Sequence, residues 1–337
     1  MVNVVITGGA GFIGQALAKA LLQRGRLAGA DGAEHEIERL TLFDTIAPND
    51  FGDPRVEALV GDVGDQAEMR MLIGQDTDSV FHLAAVVSSG AEADFDLGYR
   101  VNLAGIRNLL EACRAQEGLL SRVVFASSVA VYGGALPATV TDDTPQRPAT
   151  SYGAQKLMGE LMVNDYTRKG YIDGRAVRLP TIMIRPGKPN KAASTWASSI
   201  VREPLSGQDA ICPVTPDSVM VCLSPRRTVD ALIKLHDLPG EQLGAERTLL
   251  LNGIAATAQQ IADAMARHAG NRAAGQIHWQ PDAAIQRIVD GWPRALASQR
   301  ARDLGFETDT DIDEIVRIFI EDDLDAQIAA VNATAHT

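Results

Sequence analysis

The sequence predicts an α/β protein built around a doubly wound, parallel Rossmann sheet, followed by a smaller C-terminal region. Two patterns support this prediction. A strand, a glycine-rich turn and a helix follow one another at the N-terminus, and short β-branched strands then alternate with amphipathic helices. We expect residues 1–180 to form the sheet domain and residues 181–337 to form mainly a second domain. A segment at about 217–240 is expected to return to the first domain.

The composition is that of an ordinary globular protein. Of the 337 residues, 46% are hydrophobic and 22% are charged, and the length favours two domains or one large domain with an appendage. The net charge of −12 argues against a nonspecific nucleic-acid binder. No apolar stretch approaches the length of a membrane span, and the N-terminus lacks the basic and apolar regions of a secretory signal.

Three cysteines, Cys113, Cys212 and Cys222, have a spacing typical of neither a disulfide framework nor a metal site. We therefore expect packing roles for these cysteines, no bound metal, and a reducing compartment, the cytoplasm.

The first element is a buried strand at residues 2–7, followed by the turn GGAGFIG. In this turn Gly8 permits the tight bend, Gly11 lets a diphosphate approach the backbone, and Gly14 lets the helix pack closely on the strand. The helix starts at the adjacent Phe12 and Ile13 and directs unpaired N–H groups at the phosphates. This order of elements predicts a dinucleotide site.

The second strand is predicted at residues 38–44 and ends in Asp44. A carboxylate at this place bonds the adenosine ribose hydroxyls and repels the additional phosphate of NADP, so we expect NAD as the cofactor. The distance from the glycine turn to Asp44 is longer than usual, and we attribute the excess to a polar insertion at residues 30–38. The alternative is an acidic loop residue in an acidic protein.

Three further strands are predicted at residues 56–62, 79–85 and 122–128, with an amphipathic helix at 98–116. Ligands of such sheets bind beyond the carboxyl ends of the strands. The residues at those ends are Asp62, Ala84, Ala85, Ser127 and Ser128. His82 lies earlier in its strand, and we expect it to be packed rather than catalytic.

The segment SYGAQK begins a helix that Thr150 or Ser151 can cap, and it places Tyr152 and Lys156 on one face. A nearby ammonium favours the phenolate and lowers the pKa of the tyrosine. Ser128 can hydrogen-bond the same substrate oxygen. This group suits removal of a proton from an alcohol while hydride leaves its carbon. Without the glycine turn and the strand ending in Ser128, the same six residues would indicate a surface tyrosine beside a solvated lysine.

These residues resemble the extended short-chain dehydrogenase/reductase family, which includes epimerases and dehydratases of nucleotide sugars. The matching segments, in family order, are TGGAGFIG, GDVGD, HLAA, VN ending at Asn102, SSVAVYGG and YGAQK. The resemblance implies a catalytic triad of Ser128, Tyr152 and Lys156, with Tyr152 as the proton acceptor. It also implies cofactor contacts: Lys156 at the nicotinamide ribose, Asp62 and Val63 at the adenine, Asn102, and Pro180 and Thr181 at the nicotinamide end.

In the second half we predict a substrate-covering insertion around a short helix at 182–214 and a strand followed by a Thr228-capped helix at 217–239. A strand at 248–253 follows. Further helices are predicted at 258–270, 280–290 and 311–330.

This half is similar to a subgroup of the family that uses NAD to oxidise D-erythronate, a four-carbon sugar acid, at C2. The carboxylate of such a substrate requires a guanidinium. The candidates for substrate binding, besides Ser128 and Tyr152, are Arg185, Arg226 and Arg227 for the carboxylate and Ser88, Asn190 and Thr195 for the hydroxyls. Each arginine could equally be a surface charge or part of a structural ion pair.

Two other functions remain open. A nucleotide-sugar 4-epimerase would also place arginines here, whereas a 4,6-dehydratase would have an acid pair where this chain has Val129 and Ala130. A non-enzymatic NAD sensor is a third reading, although the Tyr–Lys pair is intact.

Apolar residues occur on more than one face of the helices at 98–116 and 151–169, for example Leu157, Met158, Leu161 and Met162. One apolar face covers the sheet. The second apolar face predicts that these helices pair with those of a second copy in a homodimer.

Overall fold

The computed structural model describes residues 1–189, 192–270 and 275–335. The chain forms two compact units. The first comprises residues 1–131, 148–179 and 229–250, and the second comprises 132–147, 180–228 and 251–337. Two boundaries therefore differ from those predicted: residues 132–147 leave the sheet unit, and the returning segment is 229–250.

Most of the strands are short. In chain order they are β1 (Val2–Thr7), β2 (Arg26–Ala28), β3 (Glu34–Asp44), β4 (Val56–Val60), β5 (Ser79–His82), β6 (Arg122–Ser128), β7 (Val140–Thr141), β8 (Asp173–Leu179), β9 (Thr181–Ile182), β10 (Ala210–Cys212), β11 (Val219–Leu223), β12 (Thr248–Leu250), β13 (Ile254–Thr257), β14 (Ile277–Trp279) and β15 (Leu296–Ala297).

The first unit contains an eight-stranded sheet in the order β12-β8-β6-β5-β1-β3-β2, with β4 also paired to β3. All pairs are parallel except β2 with β3. Chain order reverses at β1, and Thr7 at its end pairs with Phe43 on one side and His82 on the other. The predicted fold class, a doubly wound parallel Rossmann sheet, is confirmed.

Helices separate these strands. In chain order they are α1 (Phe12–Arg24), α2 (Gln66–Leu72), α3 (Ser88–Ala93), α4 (Phe95–Gly98), α5 (Gly105–Arg114), α6 (Ser151–Arg168), α7 (Thr195–Leu205), α8 (Pro225–Asp237), α9 (Gly240–Leu243), α10 (Ala258–Ala269), α11 (Ala283–Asp290), α12 (Gln299–Asp303), α13 (Ile312–Asp322) and α14 (Leu324–Ala335). None of these helices is both long and apolar enough to cross a membrane.

Four predicted elements need correction. The helix predicted at 311–330 is two helices, α13 and α14, which are separated at Asp323. The insertion at 30–38 is partly a hairpin, because β3 begins at Glu34 and pairs antiparallel with β2. The helix predicted at 98–116 is instead α4, a π-helical turn at Tyr99–Ala104, and α5. Thr228 does not cap α8, which begins earlier, at Pro225. Ser224 is the cap, since its hydroxyl accepts the Arg227 N–H at 3.1 Å.

Each unit has its own apolar core. In the first, side chains of β1, β5 and β6 pack against α5 and α6, and Phe125 lies fully buried among them. In the second, Trp196 and Ile200 of α7 pack with α10 and with Phe319 of α13. The rigid strand ends of the first unit are the elements that position the candidate site.

Candidate active site

The glycine turn between β1 and α1 is closed tightly by backbone contacts. Gly8 has φ of 75°, and a Cβ there would lie 2.7 Å from the Ala84 nitrogen. A Cβ on Gly14 would lie 2.2 Å from the Gly8 oxygen, so only glycine fits at either position. Helix α1 begins at Phe12, and its N-cap, Gly11, has no side chain to satisfy the first N–H groups. The start of α1 therefore presents backbone N–H groups without a side-chain cap, which suits a diphosphate.

Asp44 lies at the end of β3, beside this turn. Its carboxylate accepts the Ala10 N–H at 3.0 Å and the Thr45 N–H at 2.7 Å. The structure thus brings the predicted ribose ligand to the predicted phosphate turn, despite the long insertion between them. This arrangement fits a dinucleotide without a 2′-phosphate.

The other predicted cofactor residues have different environments. Asp62 accepts hydrogen bonds from Arg100 and from the Gly64 N–H. The Val63 side chain is buried in the core, so only its backbone can face a ligand. Ala84 and Ala85 lie in the loop after β5, and the Ala84 backbone lies next to Gly8.

Asn102 is buried in the π-helical turn and holds both polar backbone groups of Val86. Its Oδ1 accepts the Val86 N–H at 2.8 Å, and its Nδ2 donates to the Val86 oxygen at 3.0 Å. The same Nδ2 donates to Gln155 Oε1 at 2.8 Å. Asn102 therefore fixes the loop after β5 to helix α6, which carries Tyr152.

Helix α6 packs unusually close to β6. Thr150 caps it, as predicted, by accepting the Gly153 N–H at 3.1 Å. A Cβ on Gly153 would lie 2.1 Å from the Ala130 oxygen, and one on Gly159 would lie 2.7 Å from the Phe125 ring. These two glycines weaken the helix by themselves, but they let its active face approach the strand end.

Tyr152, Ser128 and Lys156 come together at this contact. The Ser128 hydroxyl accepts the Ala130 N–H at 3.1 Å and hydrogen-bonds Tyr152. Lys156 Nζ lies 5.6 Å from the centre of the Tyr152 ring and donates to the Ala126 oxygen at 2.8 Å. The three predicted catalytic side chains therefore form one group.

The electrostatics of this group differ from the prediction. Burial raises the pKa of Tyr152 to about 12, opposed by the hydrogen bond with Ser128. We predicted the opposite direction from the neighbouring ammonium. Burial also lowers the pKa of Lys156 to about 8, and the charge of Glu160 opposes that effect. His82 is fully buried, with Nδ1 2.7 Å from the Thr7 hydroxyl, so the expectation of a packed histidine is confirmed.

Two buried polar residues of α6 were missed by the sequence reasoning. Gln155 binds Asn102, and Glu160 binds Ser127 and Arg178. The pattern could have revealed Glu160, because Tyr152, Lys156 and Glu160 recur every four residues and so share one helix face.

The second unit holds most of the predicted substrate residues. Its three candidate arginines differ in whether they form salt bridges. Arg226 forms salt bridges with Asp322 at 2.7 Å and Glu321 at 3.1 Å. Arg227 pairs with Glu307 at 2.8 Å. By contrast, the guanidinium of Arg185 forms no salt bridge within the described residues. Its one hydrogen bond among them is a long one, 3.5 Å, to the Lys188 oxygen.

Burial and the nearby charge of Arg202 lower the pKa of Arg185, so this guanidinium lies in a positive and partly desolvated environment. Thr195 begins α7, and Asn190 lies outside the described residues. Pro180 and Thr181 follow β8 in the chain, while Ser88, in the first unit, begins α3.

The chain is similar in sequence and fold to known proteins. Residues 4–227 match the NAD dependent epimerase/dehydratase family. D-erythronate dehydrogenase of Cupriavidus necator is 53% identical over 320 residues, covering 95% of this chain and 98% of that protein. The enzyme of the same name from Haemophilus influenzae is 43% identical, covering 96% and 100%. A crystal structure described as a nucleoside-diphosphate-sugar epimerase from Agrobacterium tumefaciens has a TM-score of 0.90 at 40% identity, covering 97% and 96%.

Proposed function

The chain belongs to the NAD dependent epimerase/dehydratase family, and from this premise we propose that it oxidises D-erythronate at C2 to 2-dehydro-D-erythronate with NAD. The observation that carries the proposal is the 53% identity to D-erythronate dehydrogenase along 95% of the chain. The match to these dehydrogenases extends over nearly the full length of both chains. It confirms the predicted enzyme class, an NAD-dependent oxidoreductase.

The proposed reaction removes a proton from the C2 hydroxyl and a hydride from C2. Bound NAD supplies the hydride acceptor. Tyr152 takes the proton as general base, and Lys156, 5.6 Å from its ring centre, is the positive charge that favours the phenolate. Ser128 orients the substrate oxygen: because its own oxygen accepts the Ala130 N–H, its proton remains to be donated.

The residues that would hold NAD follow from the same geometry. The glycine turn and the start of α1 would receive the diphosphate, and Asp44 would bind the adenosine ribose. Lys156 would bind the nicotinamide ribose. The remaining proposed contacts are Asp62, the Val63 backbone, Ala84, Ala85, Asn102, Ser127, Pro180 and Thr181.

We assign the substrate carboxylate to Arg185. Arg226 and Arg227 already neutralise carboxylates of the protein, whereas Arg185 lies beside the cationic Arg202 without a salt bridge among the described residues. Arg202 is itself paired with Glu203 at 2.5 Å, so a bound carboxylate would neutralise the charge of Arg185. Ser88, Asn190 and Thr195 remain proposed partners of the hydroxyls.

We also propose a homodimer that works in the cytoplasm, where its three free thiols would stay reduced. Helix α6 and the π-helical turn border an apolar groove of about 630 Å³, lined by Tyr99, Leu103, Met158, Leu161 and Met162 among others. Leu161 is 61% exposed there. An apolar groove between two helices suits the same helices of a second copy.

The decisive test is production of NADH from NAD and D-erythronate by the purified protein. Tyr152→Phe keeps the ring and removes the proton-accepting oxygen, so kcat should fall by about 10²–10⁴-fold with little change in KM. Tyr166→Phe is the matched control, because this tyrosine of the same helix hydrogen-bonds Glu111 and should be dispensable. Normal turnover by Tyr152→Phe would make Tyr152 a packing residue.

The alternative is a nucleotide-sugar 4-epimerase, favoured by the likeness to the Agrobacterium tumefaciens structure at 40% identity. An epimerase returns the hydride to its substrate and accumulates no NADH. Incubation with UDP-sugars and with C4 to C6 sugar acids separates the two functions in one assay.

A further inference from the structure

Glu160 is a buried carboxylate one helical turn beyond Lys156 in α6, and only 1% of the residue is exposed. Its oxygens accept hydrogen bonds from Arg178 of β8, from Nε at 3.0 and 3.1 Å and from Nη2 at 2.7 Å. It also accepts the Ser127 hydroxyl of β6 at 2.5 Å. Glu160 thus joins the helix that carries Tyr152 to two adjacent strands of the sheet.

Lys156 needs such a partner. Its ammonium is buried, donates to a backbone carbonyl instead of a carboxylate, and lies 4.8 Å from the centre of the Phe125 ring. The titratable and charged groups around it are Tyr152 and Glu160 on α6, His82 on β5, and Arg178 on β8 behind Glu160. Burial lowers the pKa of Lys156 to about 8, and Glu160 is the group that raises it.

We propose that Glu160 is a positioning residue for the reaction, which keeps the Lys156 ammonium charged and, through Ser127, fixes the strand end that carries Ser128. The inference rests on the proposed roles of Tyr152 and Lys156. When this pair of side chains loses one proton, the proton can come from the Tyr152 phenol or from the Lys156 ammonium. Only loss from the phenol leaves a phenolate beside a cation. A carboxylate next to Lys156 favours this state, because it stabilises the ammonium.

The test is Glu160→Gln, which keeps the size of the side chain and an oxygen for Ser127 but removes the charge. The chain has six lysines, so lysine-selective NMR can follow each titration, with Lys156→Arg to assign the signal. We expect the Lys156 midpoint to fall by about one pH unit or more. The upper limb of the pH–rate profile, where Lys156 loses its proton, should move down equally, and kcat should fall.

The control is Asp173→Asn, which removes another carboxylate of the same sheet, located 3.0 Å from Arg122. This change should lower stability without moving the Lys156 midpoint. If Glu160→Gln alone does not fold, the double variant Glu160→Gln/Arg178→Gln removes both charges of this ion pair. Because the Arg178 cation lies behind Glu160 and opposes it, the Lys156 midpoint should still fall, but by less.

The proposal is overturned by an unchanged Lys156 midpoint in a folded variant, or by a loss of kcat without a shift of the upper limb, since either result indicates a purely structural role. The NMR midpoint needs no substrate. Failure of the parent enzyme to oxidise D-erythronate would therefore refute the proposed function. The Lys156 midpoint would still test the role of Glu160.

Discussion

Replacing Lys156 by methionine should make the protein more stable while abolishing its activity. The pKa of this lysine falls from 10.5 to about 8, because burial disfavours the charged form. Holding the ammonium in the fold at pH 7 therefore costs on the order of 3 kcal/mol. Methionine has a similar length, carries no charge, and leaves the salt bridge of Glu160 with Arg178 in place.

The sign of this effect sets its pH dependence. Below pH 8 the lysine is charged in the folded and unfolded states, and the full cost applies. Between about 8 and 10.5 only the unfolded state stays protonated, so the cost disappears as the pH rises through this window.

Urea unfolding without cofactor, at pH 7 and pH 10, measures the difference in free energy of unfolding between the parent and Lys156→Met. Lys169→Met, at the exposed C-terminal end of the same helix, is the control and should change little at either pH. A variant that is no more stable at pH 7, or whose advantage persists at pH 10, would refute the reasoning.

Three further changes test the other assignments. Asp44→Ser should lower the preference for NAD over NADP in kcat/KM by about tenfold or more, because a carboxylate no longer opposes a 2′-phosphate; an unchanged preference contradicts its role. Arg185→Ala should raise KM for D-erythronate at least about tenfold, whereas Arg226→Ala, which breaks an internal ion pair, should not; the reverse outcome would move the carboxylate site. Leu161→Glu should convert the proposed dimer to a monomer in light scattering; a parent protein that is already monomeric at every concentration refutes the dimer.

The local patterns of the sequence predicted the sheet unit well, because each element there is specified by nearby residues. The strand 122–128 was placed with its observed bounds, and the helix starting after Thr150 was placed within one residue of its end. The glycine turn and the segment SYGAQK carry their chemistry in a few adjacent positions. Their matching segments also predicted the family, which the comparisons confirm.

Errors arose where distant residues decide the outcome. The ion pair of Arg226 with Asp322, 96 positions later, was one of the alternatives left open, and no nearby residue could have selected it. Burial at Tyr152 is a property of the packed helix, and no local pattern indicates that it raises the pKa. The hairpin of β2 with β3 was not predicted, because charged residues occupy many positions of its two paired segments.

The π-helical turn at Tyr99–Ala104 links the loop after β5 to the proposed dimer surface. Such a turn arises when a helix gains one residue, and each residue rotates a helix by about 100°. Deleting one position within it would turn Tyr99 and Arg100 away from the apolar groove while also withdrawing Asn102 from Val86. The one additional residue of this turn therefore sets both the hold on the loop after β5 and the shape of the surface that we propose for a second subunit. A change in the length of this turn would alter both together.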